Sequence, residues 1–276
     1  MQSILVPLID VVWPGILAPE VRERYADAAI VARCASEFAA THRLMVDHAG
    51  GRYAITPYAG FLCEDALYKG ELLEAYRTAV AGGAEVSVHI HADRAAGEAR
   101  YSDADFMRAS IRARRADLAS AGLHTTSYRS GEFGFSAVLA DVLVEEGFAI
   151  DLSSAPGHAD PVNQAFWPAA PRAGHYLADG RLFEIPIGVD GQGNERVRNY
   201  MHVEVSDLDN QKRILDSLRA AAGDDLPAVT HALFHSYSSA LPAMAERWQR
   251  LLDYAAGSGW TLATPAEARA AYDRAA

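Results

Sequence analysis

The sequence has 276 residues, 50% of them hydrophobic, and a formal net charge of −11 at pH 7. This length suits one α/β barrel, so we expect a single domain over residues 1–276. The acidic charge argues against nucleic acid and against an anionic membrane surface as partners.

The same sequence shows no feature of an exported or membrane protein. No apolar run reaches the length of a membrane span, and the apolar run after Met1 lacks a basic leader and a small-residue cleavage site. The two cysteines, Cys34 and Cys63, are too few for a disulfide framework. We therefore expect a soluble, cytoplasmic protein.

Short apolar strands alternate with helices along the chain. In order, the predicted strands are residues 4–9, 43–46, 53–56, 84–93, 123–128, 148–150, 182–187, 199–205, 228–234 and 260–263. The predicted helices are residues 19–40, 64–80, 102–120, 135–146, one from 207, 241–256 and a last one after the capping box 264–267. This alternation favours an α/β fold, a distorted or incomplete (β/α) barrel with about seven or eight parallel strands.

Two histidines share one predicted strand. Apolar residues in 84–93 alternate with Ser87, His89 and His91, so both imidazoles lie on one face of the strand. Two neutral imidazoles suit a divalent metal, and Asp93 just beyond could add an oxygen ligand or orient one. The motif alone is weak, and two ordinary surface or core histidines are the alternative.

Polar side chains close or directly follow six of the predicted strands. They are Asp10, His89 with His91, Arg129, Asp151, Glu184 and His235. In a β/α barrel the carboxyl ends of the strands form the active-site face, so this convergence predicts a site there. Arg129 and Asp151 could instead form a structural ion pair, and for Glu184 we favour a structural role.

The order of these residues and their flanks resembles a known family. The matching blocks are Asp10 after the first strand, Val88-His89-Ile90-His91, residues 127–134, residues 147–154, residues 184–187 and Leu233-Phe234-His235-Ser236. Together they resemble the polysaccharide deacetylase superfamily of metal-dependent carbohydrate deacetylases, most of all its divergent branch among sugar-modifying biosynthetic enzymes. The resemblance covers nearly the whole chain.

The resemblance implies one catalytic domain over residues 1–276 that hydrolyses an acetyl or other acyl group from an amino sugar, a sugar-containing metabolite or a polysaccharide. It implies a divalent metal, zinc first and nickel or cobalt next, held by His89 and His91 with an early aspartate, Asp10. It assigns Arg129 to orient the catalytic carboxylate and His235 to protonate the leaving amine. A metal lowers the pKa of its bound water, and a carboxylate and a histidine can take and return the proton.

Two positions depart from the family's pattern. The family has two adjacent aspartates after the first strand, whereas a valine follows Asp10. Its histidine pair is spaced four apart, whereas the position four after His89 is Asp93. Either Asp10 is the base and Asp93 helps to hold the metal, or Asp10 is a ligand and Glu132 or Asp151 is the base. An inactive homologue also stays open.

A long proline- and glycine-rich segment, residues 153–180, is predicted to form part of the substrate pocket, because long loops in compact domains are usually functional. Its aromatic side chains could stack on a sugar ring, although they could also pin a surface loop. The side chains expected to contact the substrate are Trp13, Glu132, Asp151, Trp167 and Tyr176.

Two rival functions stay open. A barrel amidohydrolase also uses an H-x-H motif, but on its first strand. A non-catalytic sugar-binding protein on the same scaffold is favoured by the missing aspartate and need not hold a stoichiometric metal. The expected partner is a small-molecule or oligosaccharide substrate, with no nucleic acid and no membrane, and a homo-oligomer is left open.

Overall fold

The computed structural model describes residues 3–12, 27–61, 65–92, 98–190, 199–223 and 226–276. Trp13, Cys63, Asp93 and the first part of the predicted helix 19–40 lie outside these residues, so the structure places none of them.

The described elements follow the predicted alternation. The strands are β1 (Ser3–Val11), β2 (Ala54–Ala59), β3 (Glu85–Val86), β4 (Val88–Ile90), β5 (Ser127–Ser130), β6 (Ile150–Asp151), β7 (Ala159–Asp160), β8 (Ala165–Phe166), β9 (His175–Leu177), β10 (Leu182–Glu184), β11 (Val229–His235) and β12 (Trp260–Leu262). The helices are α1 (Ala28–Ala49), α2 (Gly70–Ala81), α3 (Ala104–Ser120), α4 (Ala137–Glu145), α5 (Leu208–Ala221), α6 (Pro242–Gly257) and α7 (Pro265–Ala275).

The sheet is a distorted barrel. Within the described residues, seven strands pair in parallel in the order β11-β1-β2-β4-β5-β6-β10, and β9 adds an antiparallel edge to β10. Beyond β10 the Gly188 amide donates to the His231 carbonyl (3.0 Å), and the His231 amide donates to the Pro186 carbonyl (2.9 Å). The two ends of the sheet therefore meet, and the predicted barrel with about seven or eight parallel strands is confirmed.

The central strand is β1, which pairs with β11, β2 and β12. All of its residues are buried, as expected for a parallel strand that is covered on both faces. Outside the sheet, Trp248 of α6 stacks on Phe234 of β11 with 4.9 Å between ring centroids. This packing fixes the end of β11, where the next residue is His235. None of the described helices has the length and apolar character that a membrane span requires.

Two predicted strands are wrong. Residues 43–46 belong to α1, whose buried positions Phe38, Thr41, Met45 and Ala49 keep helical spacing until Gly50. Gly50 ends the helix because it adopts φ +58° and its amide donates to the Met45 carbonyl. Residues 199–205 form isolated bridges to neighbouring segments and not a regular strand.

Two predicted helix starts can be compared with the observed caps. The last helix has the predicted capping box, in which Thr264 and Glu267 each bond the other's backbone amide. At the start of α3 the N-cap is Asp103, whose side chain accepts from the Phe106 amide, and not Ser102.

Candidate functional site

The barrel brings four of the predicted site residues to one end. Asp10 at the end of β1 pairs in register with His235 on β11 and with Thr56 on β2. His89 on β4 pairs in register with Arg129 on β5. Because the strands are parallel, their carboxyl ends lie together, and these side chains form one cluster.

Asp10 is a buried member of this cluster. Its carboxylate accepts from Arg129 Nε (3.0 Å to Oδ1) and Arg129 Nη2 (3.3 Å to Oδ2), and from the Thr56 hydroxyl. Arg129 is itself fixed, since its Nη1 donates to the Leu152 carbonyl at 3.0 Å. Burial alone would raise the pKa of Asp10, but the Arg129 guanidinium and nearby histidines hold that pKa well below its usual range. Asp10 is therefore an ionised, oriented acceptor at neutral pH.

His235 lies between two carboxylates. Its Nε2 is 3.9 Å from Asp10 Oδ2, and its Nδ1 is 3.4 Å from Glu204 Oε1. Burial would lower the pKa of this imidazole, but Glu204 and then Asp10 raise it above its ordinary value. Burial would raise the pKa of Glu204, but His235 and His202 hold that pKa well below its usual range.

His202 and Glu204 are site residues that sequence reasoning missed. His202 Nε2 is 3.2 Å from His235 Nδ1 and 3.1 Å from Glu204 Oε2. A signal exists in the sequence, because His202 and Glu204 are two apart in a segment predicted to be extended, the same spacing as His89 and His91. Their approach to His235 is a long-range contact that this local spacing does not reveal.

The two histidines of the predicted metal motif lie side by side. Their ring centroids are 4.8 Å apart, and the His91 ring also packs on Tyr58 at 4.1 Å. His89 Nδ1 bonds the Thr56 carbonyl at 3.1 Å, whereas its buried Nε2 has no hydrogen-bond partner among the described residues. Burial lowers the pKa of His89 to about 3, so this imidazole is neutral and its Nε2 offers a lone pair.

A glycine makes room for His91. A Cβ built on Gly131, in the turn that follows β5, would lie 2.2 Å from Cγ of the His91 ring. The neighbouring Glu132 is exposed and adopts a left-handed φ of +48°. The predicted Ser-Gly-Glu-Phe-Gly block thus shapes the wall against which His91 packs, and the structure places Glu132 at the solvent-facing rim of this turn.

A cleft of about 660 Å³ opens beside His91 at the carboxyl ends of β2 and β4. Phe61 and Arg100 line it, and α3 contributes Phe106 and Arg114. The Arg100 guanidinium lies 3.9 Å from the centroid of the Phe106 ring. The cleft therefore offers aromatic and basic side chains next to a predicted site histidine.

Asp151 and Glu184 are both fully buried and pair in register across β6 and β10. Asp151 Oδ1 accepts from the Leu152 amide (2.9 Å) and the Ser153 hydroxyl (2.5 Å), and Glu184 Oε1 accepts from the Ser154 amide (2.9 Å). Burial and the facing Asp151 raise the pKa of Glu184 well above its usual range. As placed, these carboxyls hold residues 152–154 together, and Asp151 has no solvent-exposed surface that could contact a substrate.

The segment 153–180 crosses from one end of the barrel to the other. At the carboxyl end, Trp167 is buried and its indole Nε1 donates to the Phe133 carbonyl at 2.8 Å. At the opposite end, the Gly174 amide donates to the Val229 carbonyl at the start of β11 (2.7 Å), and the Tyr176 hydroxyl donates to Asp273 of α7. The structure therefore puts Trp167 on the side of the cluster and Tyr176 away from it.

Side-chain atoms that can bind a metal ion come together at one place in the described part of the chain. There, only His202, Glu204 and His235 bring three such donor atoms within 4.8 Å of one another. Asp10, His89 and His91, the ligand set drawn from the sequence, do not meet that spacing, and Asp93 lies outside the described residues.

Comparison with known proteins finds relatives by structure. No family model matches the sequence, and no curated protein matches it. A protein from Mycobacterium smegmatis assigned as a polysaccharide deacetylase is 15% identical with a TM-score of 0.63, covering 99% of this chain and 91% of its own. A CE4 family pseudoenzyme from Bacillus anthracis is 9% identical with a TM-score of 0.53, covering 97% and 65%. A chitin deacetylase from Colletotrichum lindemuthianum is 10% identical with a TM-score of 0.50, covering 97% and 88%.

These identities establish a shared fold. The chain has the fold of the polysaccharide deacetylases, and the resemblance inferred from the sequence is confirmed at that level. The low identity fits a divergent branch, and the similar structures include a pseudoenzyme as well as deacetylases.

Proposed function

We propose that this protein hydrolyses an acyl group, most simply an acetyl group, from an amino sugar, a sugar-containing metabolite or a polysaccharide. The observation that carries this proposal is the Asp10 carboxylate, which Arg129 orients and which faces His235 across adjacent strand ends. An ionised carboxylate next to an imidazole provides the two groups that acyl hydrolysis needs for moving a proton.

Asp10 is proposed as the base. Its two oxygens are fixed by Arg129 and Thr56, so the carboxylate does not have to be ordered when a water molecule approaches it. Proton transfer from that water to Asp10 would produce the nucleophile, and a proton must then return to the leaving amine or alcohol. His235 can supply it through Nε2, the ring nitrogen that faces Asp10, or it can bind a metal through Nδ1.

The proposal includes one divalent transition metal, with zinc as the first candidate and nickel or cobalt as alternatives. When bound, such a metal polarises the acyl carbonyl and lowers the pKa of a bound water. The lone pair of His89 Nε2 supports the sequence-based ligand set of His89 and His91 with Asp10 or Asp93. The donor spacing of His202, Glu204 and His235 supports a different location for the metal.

A carbohydrate is the proposed substrate. The supporting observation is that the similar folds include a protein assigned as a polysaccharide deacetylase and a chitin deacetylase. The cleft beside His91 adds the exposed ring of Phe61, which can stack on a sugar face.

A second candidate function is sugar binding without catalysis. The specific observation that favours it is the valine after Asp10, where the family's pattern has a second aspartate. A pseudoenzyme among the similar folds shows that this scaffold also exists without activity.

The test is acetate release from a panel of acetylated amino sugars and oligosaccharides. Asp10→Asn should lower the rate by a factor on the order of 10²–10⁴, the usual contribution of a positioned acid or base. Asp253→Asn, which removes an exposed carboxylate that pairs with His48 on α1, is the matched control and should keep full activity. If sugars bind but no acetate is released from any of them, the non-catalytic function replaces the proposed one.

A further inference from the structure

The segment that carries His202 and Glu204 is fixed against the end of β11. The Val203 amide donates to the Leu233 carbonyl (3.0 Å), and the Leu233 amide donates to the Met201 carbonyl (2.8 Å). From α6, Arg247 Nη1 donates to the Val203 carbonyl at 2.9 Å. The positions of the two side chains relative to His235 are therefore set by backbone contacts and do not depend on a flexible loop.

The donor atoms of these three residues have the spacing of a metal's first coordination sphere. His202 Nε2 is 3.2 Å from His235 Nδ1 and 3.1 Å from Glu204 Oε2, and His235 Nδ1 is 3.4 Å from Glu204 Oε1. Tetrahedral zinc with bonds of about 2.0–2.1 Å separates its ligand atoms by about 3.4 Å. A cation could therefore sit among the three donors with little movement of any side chain.

Hydrogen bonding leaves the group unsatisfied. Glu204 Oε1 accepts from the His235 amide at 2.7 Å. Glu204 Oε2 is buried and faces His202 Nε2 at 3.1 Å. His202 Nε2 and His235 Nδ1 point at one another, and only one proton fits between them. His202 Nε2 has at most one hydrogen to share between Glu204 Oε2 and His235 Nδ1, whereas a cation would satisfy the buried carboxylate oxygen and both ring nitrogens together.

We propose that His202, Glu204 and His235 bind one divalent transition metal, zinc first, with a coordination position left open. Two histidines and one glutamate form the ligand set of open zinc sites, in which water or substrate takes the fourth position. The other nitrogen of His235 faces Asp10, and a carboxylate facing the distal nitrogen commonly orients a metal-binding imidazole. The use of this metal rests on the proposed function; in it His235 is a ligand, and the proton that Asp10 takes from the attacking water is the one that returns to the leaving amine or alcohol.

The test measures binding of Zn²⁺ and Co²⁺ by the full-length protein, independently of turnover. Chelated protein is reloaded, and metal content is read by elemental analysis and by the visible absorption of bound Co²⁺. The unaltered protein should hold one metal per chain and should melt at a higher temperature with Zn²⁺ than without it. His202→Ala and the milder Glu204→Gln should each lose the metal and the melting shift.

Two further variants locate the site. The pair His89→Ala with His91→Ala should keep the metal, and His48→Ala, which removes a histidine on α1, should behave as the unaltered protein. Circular dichroism of each metal-free variant separates loss of a ligand from loss of the fold.

Three results would overturn the inference: metal retained by folded His202→Ala and Glu204→Gln, metal lost by the folded His89/His91 pair, or no binding by the unaltered protein. If one of these results is obtained and the protein still releases acetate, the metal site is wrong and the proposed hydrolysis remains. Failure of the metal site and failure of the proposed function can therefore be distinguished.

Discussion

Replacing Asp10 by asparagine should destabilise the protein because it leaves Arg129 buried without its counter-charge. The two side chains are only 4% and 3% exposed, so water cannot replace the lost partner. Removing one member of a buried ion pair typically costs about 3–5 kcal/mol. Arg129 keeps its bond to the Leu152 carbonyl, and the new amide oxygen can still accept, so we expect about 3 kcal/mol, the lower end of that range.

The loss can be measured by urea unfolding and by thermal melting at pH 7. A change of about 3 kcal/mol corresponds to a fall in the melting temperature of roughly 6–12 °C for a domain of this size class. A double-mutant cycle with Arg129→Met isolates the pair, because the double variant no longer contains an unpaired buried charge. The double variant should lose clearly less free energy of unfolding than the two single variants lose in sum. A stability of Asp10→Asn within about 0.5 kcal/mol of the unaltered protein, or two single losses that simply add in the double variant, would contradict a stabilising Asp10–Arg129 pair.

Two further predictions concern buried positions around the cluster. Because burial and Asp151 raise the pKa of Glu184, the unfolded chain releases that proton first, and the free energy of unfolding falls as pH rises above about 4.3 towards the raised pKa. For Glu184→Gln the free energy of unfolding should fall less steeply with pH, by up to about 1.4 kcal/mol per pH unit, when it is measured by urea titration across this window. Gly131→Ala should cost about 1–3 kcal/mol and shift the NMR resonances of His91, because the new Cβ overlaps that ring.

Each of these variants has a matched control. Glu71→Gln changes an exposed carboxyl at the start of α2 and should leave the pH dependence unaltered. If the free energy of unfolding depends on pH equally for Glu184→Gln and the unaltered protein, the buried Asp151–Glu184 pair does not hold an extra proton. Gly223→Ala adds a methyl group in open space and should leave the His91 resonances in place. If Gly131→Ala also left the His91 resonances unchanged, His91 would not pack against this turn.

The barrel could be predicted from the sequence because its signals are local. Apolar runs such as the one that forms β1, and the capping box of Thr264 and Glu267, depend on neighbours in the chain. The strand predicted at residues 43–46 is wrong because a non-local interaction decides the structure there. That apolar run suits a strand by itself, but it continues the buried stripe of α1, which packs on the body of the protein, and tertiary packing decides between the two.

The site could be predicted only in part, for a related reason. Asp10, Arg129 and His235 each lie at the end of a strand or one residue before it, and parallel strands place their ends together, so topology alone brings them near one another. The approach of His202 and Glu204 to His235 depends on how an irregular segment crosses the end of β11. Spacing in the chain does not specify that crossing, and these two residues became visible only in the structure.

The most direct test of hydrolysis is a time course of acetate release by the unaltered protein on an acetylated amino-sugar oligosaccharide. The assay is run before chelation, after chelation, and after Zn²⁺ is returned. We expect catalytic release of acetate that stops on chelation and resumes with the metal. Release that is indifferent to chelation would contradict the metal-dependent mechanism, and no release in any state would contradict the proposed hydrolysis itself.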